Sequence, residues 1–334
     1  MSAGLLNTAL GNNALAAPGS FGCNTAVGYC ALASSTSAYF NTAVGNCAGK
    51  IVSGTNNTFV GNRAGGAFTA GGFNQSSATA IGAGAMANST GAGSTVVGQS
   101  AGNYMNGNYN VGVGTSALHG SFSGMTGAFN IGIGDFAGCG LSTGCCNIAI
   151  GFQSLTAADT AVCNTGVGFQ TLCNVTSGIN NIAIGPNSGT VISGDTSGIV
   201  NLTTESNRIV MGNFNHTCAQ IKIGWTVTSD VRDKAIDPVG VPYGLSFVKQ
   251  ITPISYCWCD RTTGEITEDR KRFGFSAQNI CALETETDHP VIVSADDPEH
   301  LMITDQALLP VLVNAIKELS AKVEALEAKL AAHG

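Results

Sequence analysis

The sequence predicts an all-β repeat rod, a β-solenoid or β-roll, followed by an α+β domain that ends in a coiled-coil helix. Three observations carry this: a pentapeptide that recurs eleven times before residue 206, an abrupt change of charge density there, and an apolar heptad pattern at the C-terminal end.

The pentapeptide reads NTALG at 7–11, NTAVG at 24–28 and 41–45, NTFVG at 57–61, ATAIG at 78–82 and STVVG at 94–98. It continues as NVGVG at 110–114, NIGIG at 130–134, NIAIG at 147–151, NTGVG at 164–168 and NIAIG at 181–185. Its closing glycines lie 16, 17, 20 or 21 residues apart, a period that signals stacked repeats. Thr, Val or Ile at position two and a branched or Leu residue at position four put two side chains on one face of a strand. The small residue between them faces the other side, where something packs closely or water lies. Gly at position five suits a corner. A second element follows at constant offset, as in Ala31-Leu32, Ala48-Gly49 and Ala117-Leu118, and predicts a second short strand per coil. Coils of this size fold only by stacking. Eleven of them at about 4.8 Å each make a rod on the order of 50 Å long. The longer insertions 62–77 and 115–129 are expected to project as loops and are candidates for binding.

Composition narrows the function classes. Residues 1–205 hold six charged side chains, Lys50, Arg63, Asp135, Asp159, Asp195 and Glu205, and the rest fall beyond them. A net charge of −7 offers no basic face, so no nucleic-acid partner is expected. No secretory leader and no membrane-spanning run is expected, which suits a soluble chain made in a cytoplasm. The twelve cysteines have neither zinc spacing nor the density of a disulfide scaffold. They read as free thiols used as small apolar groups, with no metal and no cofactor. Gly98-Gln99-Ser100-Ala101-Gly102 matches a nucleophile elbow only because the repeat puts those residues there. The four rod carboxylates argue against a glycosidase acid pair within one chain, though a pair across a subunit interface stays open. Recurring Thr and Asn also leave open a flat ladder that orders water.

Domain boundaries follow the texture: rod 1–205, connector 206–228 with strand-like stretches at 208–211 and 219–227, and a C-terminal domain 229–334. At its start stands Thr228-Ser229-Asp230-Val231-Arg232-Asp233-Lys234-Ala235-Ile236. Further on come Tyr243-Gly244-Leu245, Ile251-Thr252-Pro253-Ile254-Ser255-Tyr256, Phe273-Gly274-Phe275-Ser276-Ala277-Gln278 and Ala315-Ile316-Lys317-Glu318-Leu319. This series resembles the intramolecular chaperone domain of endosialidases and phage tail fibres and spikes, the S74 peptidases, and the repeats resemble trimeric adhesin heads and stalks. The resemblance implies a trimer and self-cleavage between Thr228 and Ser229. It makes Ser229 the nucleophile and Lys234 the base, with Asp230 and Arg232 bracing the site. A Ser hydroxyl needs a proton acceptor, and a Lys serves once desolvation leaves it neutral.

Residues 256–273 read as a hairpin turning at Thr262-Thr263-Gly264-Glu265, with Arg270-Lys271-Arg272 as a solvated strand end. After Pro310, Leu309, Ile316, Val323 and Leu330 fall at heptad a and Leu312, Leu319 and Leu326 at d, a coiled coil over 309–330. Branched a residues with Leu at d lean towards dimers, whereas the resemblance implies three chains. The expected function is a viral or phage fibre or spike, assembled in a host cytoplasm and carried on the virion. Its partners would be two further copies, other virion proteins at the N-terminus, and a host surface receptor, glycan or protein. A cellular adhesin, an uncleaved stalk and a glycan-degrading spike are the alternatives.

Overall fold

The computed structural model describes residues 6–17, 22–35, 37–66, 76–121, 123–191, 200–213, 215–216, 222, 229–259, 263–285, 291–294 and 301–333. They fall into two compact units, Met1–His216 and Thr217–Gly334.

The first unit is a β-solenoid. Each pentapeptide supplies one three-residue strand: β1 (Thr8–Leu10), β2 (Thr25–Val27), β3 (Thr42–Val44), β4 (Thr58–Val60), β5 (Thr79–Ile81) and β6 (Thr95–Val97). β7 (Val111–Val113), β8 (Ile131–Ile133), β9 (Ile148–Ile150), β10 (Thr165–Val167) and β11 (Ile182–Ile184) follow. A twelfth, β12 (Ile209–Met211), lies in the stretch expected to be a connector and extends the stack by one coil. All twelve form one parallel sheet in sequence order, each residue paired with its counterpart in the next repeat, as in Thr25↔Thr42 and Val27↔Val44.

The middle residue of the strand faces the core: Ala26, Ala43, Phe59, Ala80, Val96 and Ala149 are fully buried. The branched residues on either side form the outer face, and Val44, Val97, Val113, Ile133 and Ile184 are exposed along it. The narrow coil takes only Ala or Gly inward from most of its strands, Phe59, Val96 and Val210 being the exceptions. It fills its centre from the opposite wall, where Leu32, Met86, Leu118, Leu155 and Leu172 are fully buried.

That opposite wall is not the second strand the sequence predicts. Cys30 and Leu32 have φ of +54° and +50°, and the same alternation recurs at Ser116 and Leu118 and at Gln170 and Leu172. Left-handed backbone is costly for residues with a Cβ, yet each such residue is held by the coil above. Leu32 donates its N–H to the Ala48 carbonyl at 3.0 Å and Gly49 to that of Ala64 at 2.8 Å. Backbone groups on this wall are therefore paired coil to coil, as those of the sheet are.

Two further ladders explain the ends of the pentapeptide, Asn in nine of eleven copies at position one and Gly in all at position five. From Asn24 onward the position-one Asn side chains are buried. Asn147 Oδ1 accepts the backbone N–H of Asn164 at 2.9 Å and its Nδ2 at 3.1 Å, while Asn147 Nδ2 donates to the Ala161 carbonyl at 2.7 Å. Buried amides cannot order a water surface, so Asn takes no part in a ladder of that kind. At position five the coils nearly touch: a Cβ on Gly98, whose φ is +141°, would lie 2.3 Å from the Gly114 oxygen. Glycine is required there by the next coil as well as by the corner.

Core volume is balanced between coils. Phe59 replaces the usual Ala in its strand, and Gly49 and Gly65 replace the usual Leu on the facing wall; a Cβ at Gly65 would meet the Phe59 ring at 2.3 Å. Gly132 and Gly138 similarly make room for Leu118. Of the insertions, 67–75 lie outside the described residues, as do the hairpin tip at Thr262, Cys218 and nearly all of 219–227. The other, 115–129, lies largely within the coil, where Leu118 and Met125 are both fully buried.

The second unit contains α1 (Leu245–Val248), β13 (Pro253–Cys259), β14 (Ile266–Phe275), α2 (Ala277–Leu283), β15 (Val293–Ser294), β16 (Met302–Ile303) and α3 (Asp305–Ala331). β13 and β14 form the expected hairpin and extend beyond its expected ends. Tyr243, Phe247, Ile280, Ile292, Val293, Leu308 and Val311 make a small core. Buried Glu284 accepts the N–H groups of Val291, Ile292 and Val293 at 2.7, 2.8 and 3.1 Å, which fixes β15. Helix α3 starts at Asp305 and runs through Pro310, which removes one i→i−4 hydrogen bond from its second turn.

Candidate functional site

Ser229 and Lys234 stand on the two flanks of a single 3-10 turn, Val231–Asp233. Asp230 caps it: its carboxylate accepts the Arg232 N–H at 2.9 Å and also grips the Arg232 guanidinium, Nε lying 3.0 Å from each oxygen. The guanidinium holds the Asp230 carboxyl below the ordinary range, so the brace stays ionised. Lys234 leaves the turn with extended backbone after donating its own N–H to the Val231 carbonyl at 3.2 Å. Its side chain then folds back, and Nζ lies 2.7 Å from Ser229 Oγ.

Ser229 and Lys234, the expected nucleophile and base, are thus brought into hydrogen-bond contact by local structure alone. An α-helical turn would have left them only loosely aligned; the tighter turn closes the gap. Asp230 and Arg232 bind each other and keep the turn closed without touching the pair. Thr228, and with it the expected scissile peptide, lies outside the described residues. Ser229 and Lys234 are open to solvent in the single chain.

Downstream, the chain is tied to α3. Asn314 Nδ2 donates to the carbonyls of Val241 and Tyr243 at 3.0 and 3.3 Å, and Glu318 accepts the Leu245 N–H at 3.0 Å. The same helix buries Leu308, Val311 and Ala315 on the domain and exposes Leu309, Leu312, Ile316, Leu319, Val323, Leu326 and Leu330. Ile316 is 66% exposed and Leu330 77% exposed, so the heptad seam is left open by the described residues. The seam is visible in the sequence through its spacing, and Glu318 falls in one of the quoted segments, but the tethering by Asn314 and Glu318 is not, since lone polar residues on a helix carry no periodic signal.

The rod offers no competing constellation among the described residues. Asp135 accepts the Thr115 N–H, Asp159 binds the Ser142 hydroxyl, and Glu205 accepts the N–H groups of Thr203 and Thr204. Asp135 and Asp159 thus tie neighbouring coils together, and Glu205 serves its own turn. Ser100, in the elbow-like pentapeptide, has φ +56° and donates its N–H to the Ala83 carbonyl as an ordinary coil residue. No group of residues suited to a metal ion and no helix long and apolar enough to cross a membrane occurs among the described residues. Cysteines are less hidden than expected: Cys23, Cys146, Cys163 and Cys259 are exposed, whereas burial pushes the Cys139 and Cys173 thiols up.

No family model, no curated protein and no solved structure matches this chain. The resemblance of its C-terminal part to the intramolecular chaperones rests on the quoted residues alone.

Proposed function

We propose that the chain is a subunit of a viral or phage fibre or spike, gathered into a trimer by its C-terminal unit, which then cuts itself off between Thr228 and Ser229. The 2.7 Å contact between Lys234 Nζ and Ser229 Oγ carries the reading. In the step envisaged, Lys234 accepts the Ser229 hydroxyl proton and Oγ attacks the Thr228 carbonyl carbon. The peptide bond breaks as the Ser229 nitrogen takes that proton, leaving an ester. Water then hydrolyses the ester, freeing a carboxylate on Thr228 and restoring the Ser229 hydroxyl.

A lysine accepts a proton only when neutral, and desolvation favours that state. The pair is open to solvent in one chain, so its cover comes from further copies drawn in along the exposed α3 seam. This orders events sensibly: the chains associate, the repeats are aligned at high local concentration, and only then is the clamp cut away. Mature fibres cannot easily retrace that path, which gives kinetic stability. The outer face of the sheet, lined by Val, Ile and Thr, suits burial between copies of the rod.

Intact mass of purified wild type beside Ser229→Ala and Lys234→Ala tests the proposal. Wild type should split between Thr228 and Ser229 while both variants stay whole. If wild type also stays whole as an assembled trimer, the C-terminal unit is a permanent oligomerisation cap and the stalk or adhesin reading replaces the self-cleaving one.

A further inference from the structure

Cysteines recur at one position of successive coils, and the corner at Cys145, Cys146 and Cys163 brings thiols from neighbouring coils to the surface. Cys146 and Cys163 each precede the buried Asn of the pentapeptide, and their φ values are nearly equal, +60° and +57°. Their coils are locked in register by Ile148↔Thr165 and by the Cys163 N–H donated to the Cys145 carbonyl at 3.1 Å. Equivalent residues on adjacent strands lie about 4.8 Å apart, inside the window of about 4.4–6.8 Å between disulfide-bonded Cα atoms. Both side chains are exposed. The Cys146 thiol is within hydrogen-bonding reach of those of Cys145 and Cys163.

We propose that Cys146 and Cys163 form a reversible disulfide that staples two successive coils of the rod when the protein meets a disulfide oxidant such as oxidised glutathione. One thiolate attacks the glutathione disulfide, forming a mixed disulfide and releasing one glutathione thiolate. The second protein thiolate attacks the protein sulfur of that mixed disulfide and releases the other glutathione. The pair gives up two electrons and two protons, and one glutathione disulfide becomes two glutathione thiols.

Nearly equal φ values in coils held in register keep the two Cα–Cβ bonds close to parallel, so the Cβ atoms also lie near the strand spacing, just beyond the usual range of about 3.5–4.5 Å. Closing the bond draws the corner together slightly. Exposed and mildly strained disulfides are the readily reduced kind, which makes this a labile staple. Cys145 is a poor alternative partner for Cys146, since neighbours in sequence meet the required geometry only by distorting the peptide between them. Cys30 and Cys47 repeat the same spacing, but Cys30 is buried and so shielded from an oxidant. The inference stands apart from the self-cleavage, because both cysteines belong to the rod.

The full chain is incubated with oxidised glutathione, free thiols are alkylated, and chymotrypsin is used to cut after Phe152 and Leu155, between the two cysteines. The expected product is a cross-linked peptide pair joining Cys146 to Cys163, lost on adding reductant, with Cys163→Ser leaving glutathione on Cys146. Thermal unfolding followed alongside should show wild type melting higher oxidised than reduced, and Cys163→Ser, with an unchanged circular dichroism spectrum, showing no such difference. Separate glutathione adducts on Cys146 and Cys163 in wild type, a bond from Cys145, or a bond between chains would each overturn the proposal.

Discussion

The two units solve the problem of burying apolar surface in opposite ways. The solenoid closes its own narrow core, coil upon coil, and pairs its twelve strands from Thr8 to Met211 within the chain. The C-terminal unit closes only a small core, while α3 holds a row of seven exposed heptad residues and the hairpin carries Phe273 at 91% exposure. A two-stranded hairpin and an uncovered seam are not stable ends in themselves. One unit covers its apolar residues with its own coils, and the other leaves a long apolar row exposed. In the function proposed above, that row is what further copies would cover.

The contrast is sharpest at glycine. Gly98→Val should cost the rod about 4 kcal/mol or more, because a branched side chain at a positive φ would collide with the next coil's backbone. Gly264, which has φ +73° and open space on the side where a Cβ would point, is the control. Gly264→Ala should cost about 1 kcal/mol. Urea midpoints measure both, and equal losses would break the distinction between a close-packed ladder and a free turn.

Next in size is the exchange of volume between facing walls. Phe59→Ala should cost about 3–4 kcal/mol through the cavity it leaves. Adding Gly65→Leu restores the pairing of Ala with Leu seen at Ala26 and Leu32, and should recover more than half of the loss. A double variant no better than the single one would mean that the coils do not share a core.

For the C-terminal unit, Ile316→Lys should weaken self-association by about 100-fold, or about 2.7 kcal/mol, by placing a charge in the seam. Sedimentation velocity would read it, and the thermal midpoint of the solenoid should not move. If association survives, α3 is not the contact.

The smallest effect concerns pH. Hydrogen bonds from the Thr203 and Thr204 N–H groups, Thr203 first, hold the Glu205 carboxyl below its ordinary range. A depressed carboxyl contributes stability above its unfolded value and loses it as pH falls through the folded one. Glu205→Gln should therefore flatten the acid limb of the stability curve by a few tenths of a kcal/mol, the scale of an exposed interaction. Above the unfolded value, where Glu205 is ionised in both states, the offset between the two proteins should stay constant with pH.

Much of the solenoid was legible because the pentapeptide repeats its strand signal eleven times, and each copy became a strand in register. Its inside and outside were not. A period of two distinguishes the faces but does not say which is buried, and the usual preference for larger residues inside is reversed by the narrow coil. The second wall was misread as a strand because left-handed backbone is ordinarily associated with Gly and Asn. Leu32 and Cys30 adopt it here under coil-to-coil hydrogen bonds that no local window contains. Asn at position one looked like a surface residue for the same reason: its partners are 14 and 17 residues away. The Ser229–Lys234 pair was legible through its motif, but the 3-10 turn that joins them depends on the Asp230 and Arg232 brace.

Coil length in the solenoid varies while the ladder does not. Thr42 and Thr58 pair across a 16-residue coil and Thr58 and Thr79 across a 21-residue one, with the Thr N–H donated at 2.8 and 2.9 Å respectively. A five-residue difference in coil length thus leaves the strand ladder untouched. The rod therefore tolerates insertion: segments between strands can be lengthened, altered or lost, and every strand beyond them keeps its place.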